Sequence, residues 1–177
     1  NPPDWSGHWV LTNPPYLARN HAKNKTLFDK YNTNDLYKCF IWSLCTGAPA
    51  EGGVIIIPAG FFLSPRAIDA KCRDAFMSRY TVRKVKYFEE PVFDDTTTTV
   101  VVVVFERSKI PNLEQNIEWV RMPRGDTKVF HVKAEDAWII GGSVYRLKGP
   151  QGIKVRRYLA GQELRPGEQL TNIWLCA

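Results

Sequence analysis

Apolar and polar positions follow two different patterns along the chain. In the first 108 residues, short apolar runs alternate with stripes at helical spacing. Residues 8–12 form a β-prone run that predicts a buried strand. Residues 17–34 are polar, rich in Asn and Lys, and without a sustained period, which predicts a long surface loop. Leu36, Phe40, Ile41 and Leu44 then predict a helix from Asp35 to Thr46, with Asn34 or Asp35 as its cap and Gly47 as its stop. "GGVIIIP" (52–58) is apolar throughout and bounded by turn residues, as a central parallel strand is. Ser64-Pro65 predicts the start of a second helix running to about Tyr80, with Ile68, Cys72, Phe76 and Tyr80 along one stripe. Residues 81–90 alternate like a half-exposed strand, and 96–107 is the most β-prone segment. No helix fits between these two strands, so they are expected to pair antiparallel.

The order strand, helix, strand, helix, strand, strand predicts an α/β fold: the second half of an open, Rossmann-like sheet with an antiparallel edge pair. After Ser108 the pattern changes to short strand candidates (117–121, 128–132, 143–147, 170–175) punctuated by proline and glycine. This predicts two regions, 1–108 and a small β-rich attachment over 109–177.

Composition sharpens the division. Net charge is +6 over 177 residues. Residues 1–106 carry only +1 of it and residues 107–177 carry +5. A basic C-terminal region favours an anionic partner, nucleic acid first. The chain is 44% hydrophobic, enough for a core. No apolar run approaches the roughly 20 residues of a membrane span, and no signal peptide is legible, so an intracellular protein without a membrane partner is expected. Cys39, Cys45, Cys72 and Cys176 form no CxxC pair, and His8, His21 and His131 are scattered. That predicts reduced, mostly buried thiols with neither a metal site nor a disulfide framework. The first strand begins within ten residues of Asn1, so the chain reads as part of a longer polypeptide.

The run at 8–12 drops directly into Asn13-Pro14-Pro15-Tyr16. Two prolines cannot continue a ladder, and Asn13 before Pro14 is pushed out of the helical region. The corner lies at the carboxyl end of a strand, where open α/β sheets bind ligands. Asn13 offers a side-chain carbonyl, Pro14 a main-chain carbonyl with no competing N–H, and Tyr16 a flat ring. Two acceptors beside an aromatic plate suit a planar molecule with an exocyclic amino group, such as adenine. Holding both N–H hydrogens would aim the nitrogen lone pair outward, and the gain would come from positioning and preorganised dipoles.

The strand-then-"NPPY" pattern resembles motif IV of the S-adenosylmethionine-dependent amino-group methyltransferases, most of all the DNA adenine-N6 enzymes. "GGVIIIPAGFFLS" (52–64) and "YFEEPVFDDTTTTVVVVVFER" (87–107) are similar to the later strands of that family. "IIGGSVYRLKGPQGIKVRRY" (139–158) and "LTNIWL" resemble its target-recognition end. The resemblance implies S-adenosyl-L-methionine as methyl donor and double-stranded DNA as substrate. It implies that Asn13 and the Pro14 carbonyl hold N6, Pro15 stiffens the corner, Tyr16 stacks on the target base, and Phe93 packs against a flipped-out adenine. Arg19, Lys23 and Lys25 in the loop, and Lys148, Lys154, Arg156 and Arg157 in the tail, are the candidate DNA-backbone contacts.

The family's glycine-rich donor turn lies upstream of the corner, and Gly52-Gly53 and Gly141-Gly142 stand in the wrong places to replace it. The donor-binding half is therefore expected elsewhere, in the same or another polypeptide, and this chain alone is expected to be inactive. A protein glutamine or an RNA amine presents the same NH2 group, and a non-catalytic DNA-binding subunit descended from such an enzyme is a further reading.

Overall fold

A computed structural model describes residues 3–94, 98–141 and 163–167. Among these, β1 (Trp9–Thr12), β2 (Gly52–Pro58), β3 (Tyr80–Phe88), β4 (Val100–Arg107), β5 (Glu114–Met122) and β6 (Asp126–Lys133) form one sheet in the order β1-β2-β4-β3-β5-β6. β1 is parallel to β2 and β3 to β5, while β4 lies antiparallel between β2 and β3. The fold is thus a mixed α/β open sheet containing the expected antiparallel pair. The sheet continues past that pair, since β5 and β6 extend it from the region after Ser108. The compact unit holding the sheet runs to Gly142, and a second unit covers Ser143–Ala177.

The helices are α1 (Thr26–Tyr31), α2 (Leu36–Cys45), α3 (Gly60–Leu63) and α4 (Ala67–Arg79). Two expectations need correction. Residues 17–34 are more than a surface loop: they hold a 3-10 turn at Arg19–His21 and then α1, closed by Asn32 in the left-handed region. Phe28 and Ala22 bury against Cys39 in a small core of their own. The second helix starts at Ala67 with Arg66 at its cap, two residues later than the predicted Ser64 cap and Pro65 first turn. The short α3 intervenes, and the Ser64 hydroxyl donates to Asp69.

One sheet face carries Ile55, Ile57, Val82, Val85, Val101, Val103, Phe105 and Ile117, all buried against Ile41, Leu44, Phe61, Phe62, Phe76 and Met77 of the helices. Hydrophobic burial on this face supplies the main driving force of the fold. β2 alternates buried and half-buried positions, so it is fully covered on one face only. Its two glycines have a steric reason. A Cβ on Gly53 would stand 2.1 Å from the Val10 carbonyl oxygen, and one on Gly52 would stand 2.6 Å from the Trp9 ring and from the Phe105 carbonyl. β1 can therefore approach β2 only because both positions lack a side chain. Cys39, Cys45 and Cys72 are buried free thiols, as expected, and burial pushes the Cys45 thiol up to about 12.

A buried polar hub braces the helices. Lys38 of α2 donates to the carboxylate of Asp69 in α4 and to Asn34 Oδ1, and Ser64 and Arg66 donate to the other Asp69 oxygen. Burial raises the Asp69 carboxyl, but the hydrogen bonds from Lys38, Ser64 and Arg66 together outweigh it and hold the group below its ordinary value. Arg73, fully buried, donates to the main-chain carbonyls of Phe61, Ser64 and Ala137. With the Trp138 indole bonded to Asp74, it ties the segment after β6 to α3 and α4.

Two predictions follow from this packing. Gly53→Ala should cost about 1–3 kcal/mol by forcing β1 away from β2, read as a lowered urea midpoint with faster amide exchange at residues 9–12. Asp69→Asn should cost about 3 kcal/mol near neutrality, because it leaves the Lys38 ammonium buried without its counter-charge. The folded-state value of Asp69 lies below the ordinary 3.8, so its stabilisation is complete above 3.8 and disappears as pH falls through the lower value. Urea melts of both proteins should therefore converge in acid, and a gap independent of pH would contradict this account.

Candidate active site

Strand direction decides what can meet at the corner. β1, β2, β3 and β5 all point the same way, and β4 runs against β2 and β3. The residues following β1, β2 and β3 therefore emerge at one end of the sheet, together with the start of β4, where Pro58 faces Val100. Asn13–Tyr16, α3 and the 89–94 connection all stand at that end.

Within the corner, Pro14 is buried, Asn13 and Pro15 are exposed, and Tyr16 is half-buried. No hydrogen bond among the described residues occupies the Pro14 carbonyl, so its acceptor capacity is free. The Tyr16 hydroxyl lies 2.7 Å from Asn13 Oδ1 and 3.0 Å from the main-chain oxygen of Ile56 in β2. Its ring meets the Tyr37 ring edge-on, with centroids 6.3 Å apart and an interplanar angle of 88°. Burial pushes the Tyr16 phenol up to about 12, so it stays protonated and able to donate across the physiological range. Tyr37 lies in the first turn of α2, one residue before the Lys38 that grips Asp69, so the polar hub also fixes the surface against which Tyr16 leans.

The other predicted residues divide into three groups. Phe93 is half-buried on the connection after β3, at the same end of the sheet; among the described residues no hydrogen bond or ring contact joins it to the corner. A cavity of about 150 Å³ beside it is lined by Phe88, Glu90, Pro91, Val92, Met122 and Pro123. Arg19 is engaged by Asp29, whereas Lys23 and Lys25 are exposed, with Lys23 on the rim of a mostly apolar cavity of about 460 Å³ next to Leu17. Lys148, Lys154, Arg156 and Arg157 lie outside the described residues. Sequence reasoning missed Tyr37, the Ile56 carbonyl and the Lys38–Asp69 pair. Only Lys38, a cation inside the apolar stripe of α2, gave any signal.

The described residues do not fit a methyl-donor pocket. Gly52 and Gly53 serve strand packing inside β2, not a turn that could cradle a ligand. Among the described residues, no helix is long and apolar enough to cross a membrane.

Residues 8–93 match the family model described as Eco57I restriction-modification methylase. Among solved structures, the chain is similar to a modification subunit of a putative type I restriction enzyme from Vibrio vulnificus YJ016, at 18% identity and a TM-score of 0.49, covering 67% of this chain and 26% of that one. It is also similar to the M protein of the type I restriction enzyme EcoKI (15%, TM-score 0.41, 82% and 32%) and to the type IIL restriction-modification enzyme MmeI in complex with DNA (11%, TM-score 0.44, 71% and 18%). The chain thus spans less than a third of the length of these structures. No curated protein matches. The matched residues 8–93 carry the corner and both strands that frame it, so the likeness to the restriction-modification methylases, a family that implies a methyl donor of the S-adenosylmethionine type, rests on that segment of the chain.

Proposed function

We propose that the chain is the target-adenine half of a DNA adenine-N6 methyltransferase. The observation that carries this reading is the pair of acceptors at the end of β1: the free Pro14 carbonyl and Asn13 Oδ1, set beside the half-buried Tyr16 ring. An amide oxygen has two acceptor sites, so Asn13 Oδ1 can take an N–H from a base while it holds the Tyr16 hydroxyl. Pro15 keeps the corner stiff. Tyr16 and Phe93 would present rings to an adenine turned out of the duplex, a step required because N6 is inaccessible within the stack. Lys23 and Lys25 would meet phosphates, with Arg19 contributing once it leaves Asp29. Lys148, Lys154, Arg156 and Arg157 would add contacts from 109–177, the proposed target-recognition region.

S-Adenosyl-L-methionine would supply an electrophilic methyl group, held by a donor-binding half outside this sequence. β1 supports that division. It is an edge of the described sheet, and its Trp9 and Leu11 are 68% and 83% exposed. A strand paired to that edge, with a helix packed over the Trp9 and Leu11 face, would cover them and set the donor beside the corner. The intact mass of the polypeptide carrying this sequence should therefore exceed that of these 177 residues, or a companion polypeptide should carry the glycine-rich turn. Finding neither would remove the donor from the reading.

The decisive variant is Asn13→Ala, assayed with the donor half present. Turnover on adenine-containing duplexes should fall about a hundredfold or more, as when one preorganised polar group is deleted from a reacting centre. DNA affinity should stay within about threefold, because phosphate contacts dominate it. A variant that kept full turnover, or lost affinity and turnover in parallel, would instead indicate a binding subunit or a different acceptor.

A further inference from the structure

We infer that the Tyr16 hydroxyl is a positioning group for Asn13, acting separately from the Tyr16 ring. This rests on the reading of Asn13 as the acceptor for the target amino group. The hydroxyl is placed between two oxygens, Asn13 Oδ1 at 2.7 Å and the Ile56 carbonyl at 3.0 Å. A phenol has one proton, so it donates to one of them at a time, and the shorter contact is to Asn13.

Donation to Oδ1 has a specific consequence. An exposed asparagine amide can turn over, exchanging its carbonyl for its NH2, and an NH2 facing the site would repel an incoming amino group instead of accepting from it. Asn13 is exposed, and among the described residues the Tyr16 hydroxyl is its one hydrogen-bond partner. The hydroxyl therefore selects the orientation that keeps the carbonyl oxygen in place. One of that oxygen's acceptor sites is taken by the phenol and the other remains for the base. The phenol is itself held in place by its ring, with the Ile56 carbonyl as the second oxygen its single proton can reach. The Ile56 carbonyl belongs to β2, and the ring leans edge-on against Tyr37 of α2. The orientation of Asn13 is thus referred to the rigid fold through one side chain. Elevation of the phenol to about 12 keeps this donor intact throughout the working pH range.

The test separates hydroxyl from ring. Tyr16→Phe keeps the aromatic face and removes only the donor; Tyr16→Ala removes both. With the donor half present, Tyr16→Phe should lower kcat about tenfold, the rate equivalent of one neutral hydrogen bond, with KM for DNA unchanged. It should also retain the fluorescence rise of a 2-aminopurine placed at the target position. Tyr16→Ala should lose that rise and increase KM. A Tyr16→Phe enzyme with wild-type kcat would overturn the inference and leave the ring as the working part. A second readout is independent of turnover: the Asn13 side-chain NH2 resonances in the protein without DNA. Tyr16→Phe should shift them and speed their exchange, and unchanged signals would overturn the inference even if no methylation were detected. Absence of methyl transfer by the wild-type protein, with those resonances shifted in the variant, would instead refute the proposed function and leave the hydrogen bond established.

Discussion

Pro14 and Pro15 leave the corner after β1 without two of the amide hydrogens by which a chain normally fastens itself to its neighbours. The backbone gains stiffness there and loses tethering. A side chain must then hold the corner to the sheet, and Tyr16 provides that link: its ring leans on Tyr37, and its one hydroxyl proton is shared between Asn13 Oδ1 and the Ile56 carbonyl, 40 positions away in sequence. The geometry of Asn13, the free carbonyl of Pro14 and the exposure of the Tyr16 ring all depend on this link and on how closely β1 can lie against β2. That approach in turn depends on Gly53, where any Cβ would collide with the Val10 carbonyl. A backbone constraint in one strand and a hydroxyl in the next segment together define one acceptor pair.

The buried Lys38–Asp69 pair extends the same rigidity to the helices. Taking two charges out of water is costly, and a buried pair is weak grounds for stability in itself. Here the carboxylate is fully engaged by Lys38, Ser64 and Arg66, and the ammonium also reaches Asn34. The directional bonds fix the first turn of α2, and so Tyr37, relative to α4 and the chain leaving α3. An apolar pair of the same volume would fill the space without specifying this orientation. The hub lies beneath the corner and supports the surface on which Tyr16 rests.

The sequence made legible whatever is decided by near neighbours. The α2 stripe from Leu36 to Leu44, the apolar run of β2 and the β-prone Val100–Phe105 all became the expected elements, because period and propensity agreed over many residues. The Asn-Pro-Pro-Tyr corner was readable for the same reason, since two prolines act on their own backbone. α1 was hidden: at six residues it is too short to show a period, and it is held by packing of Phe28 rather than by propensity. The start of α4 was misplaced because Ser64 resembles a cap, while its hydroxyl goes to a carboxylate that only folding brings near. The Tyr16–Ile56 and Lys38–Asp69 contacts join residues 40 and 31 apart, so no local pattern announces them.

Strand order explains why a corner built from four residues can belong to a larger site. β4 inserts antiparallel between β2 and β3, so the connection from β3 to β4 turns at the carboxyl end of the parallel strands. That topology obliges Phe93 to stand at the same end as Asn13, although 80 residues separate them. β5 follows β3 in parallel, so its turn into β6 also falls at this end, beside the Phe88–Pro123 cavity. The Tyr87 ring stacks on Trp119, which in turn meets Phe62 of α3 and Phe130 of β6 edge-on. This aromatic series locks the added strands to α3, the helix that directly follows β2. The strands contributed after Ser108 therefore do more than widen the sheet. Through Trp119 on Phe62 they brace α3, the segment that leaves β2 at the end of the sheet where the corner stands.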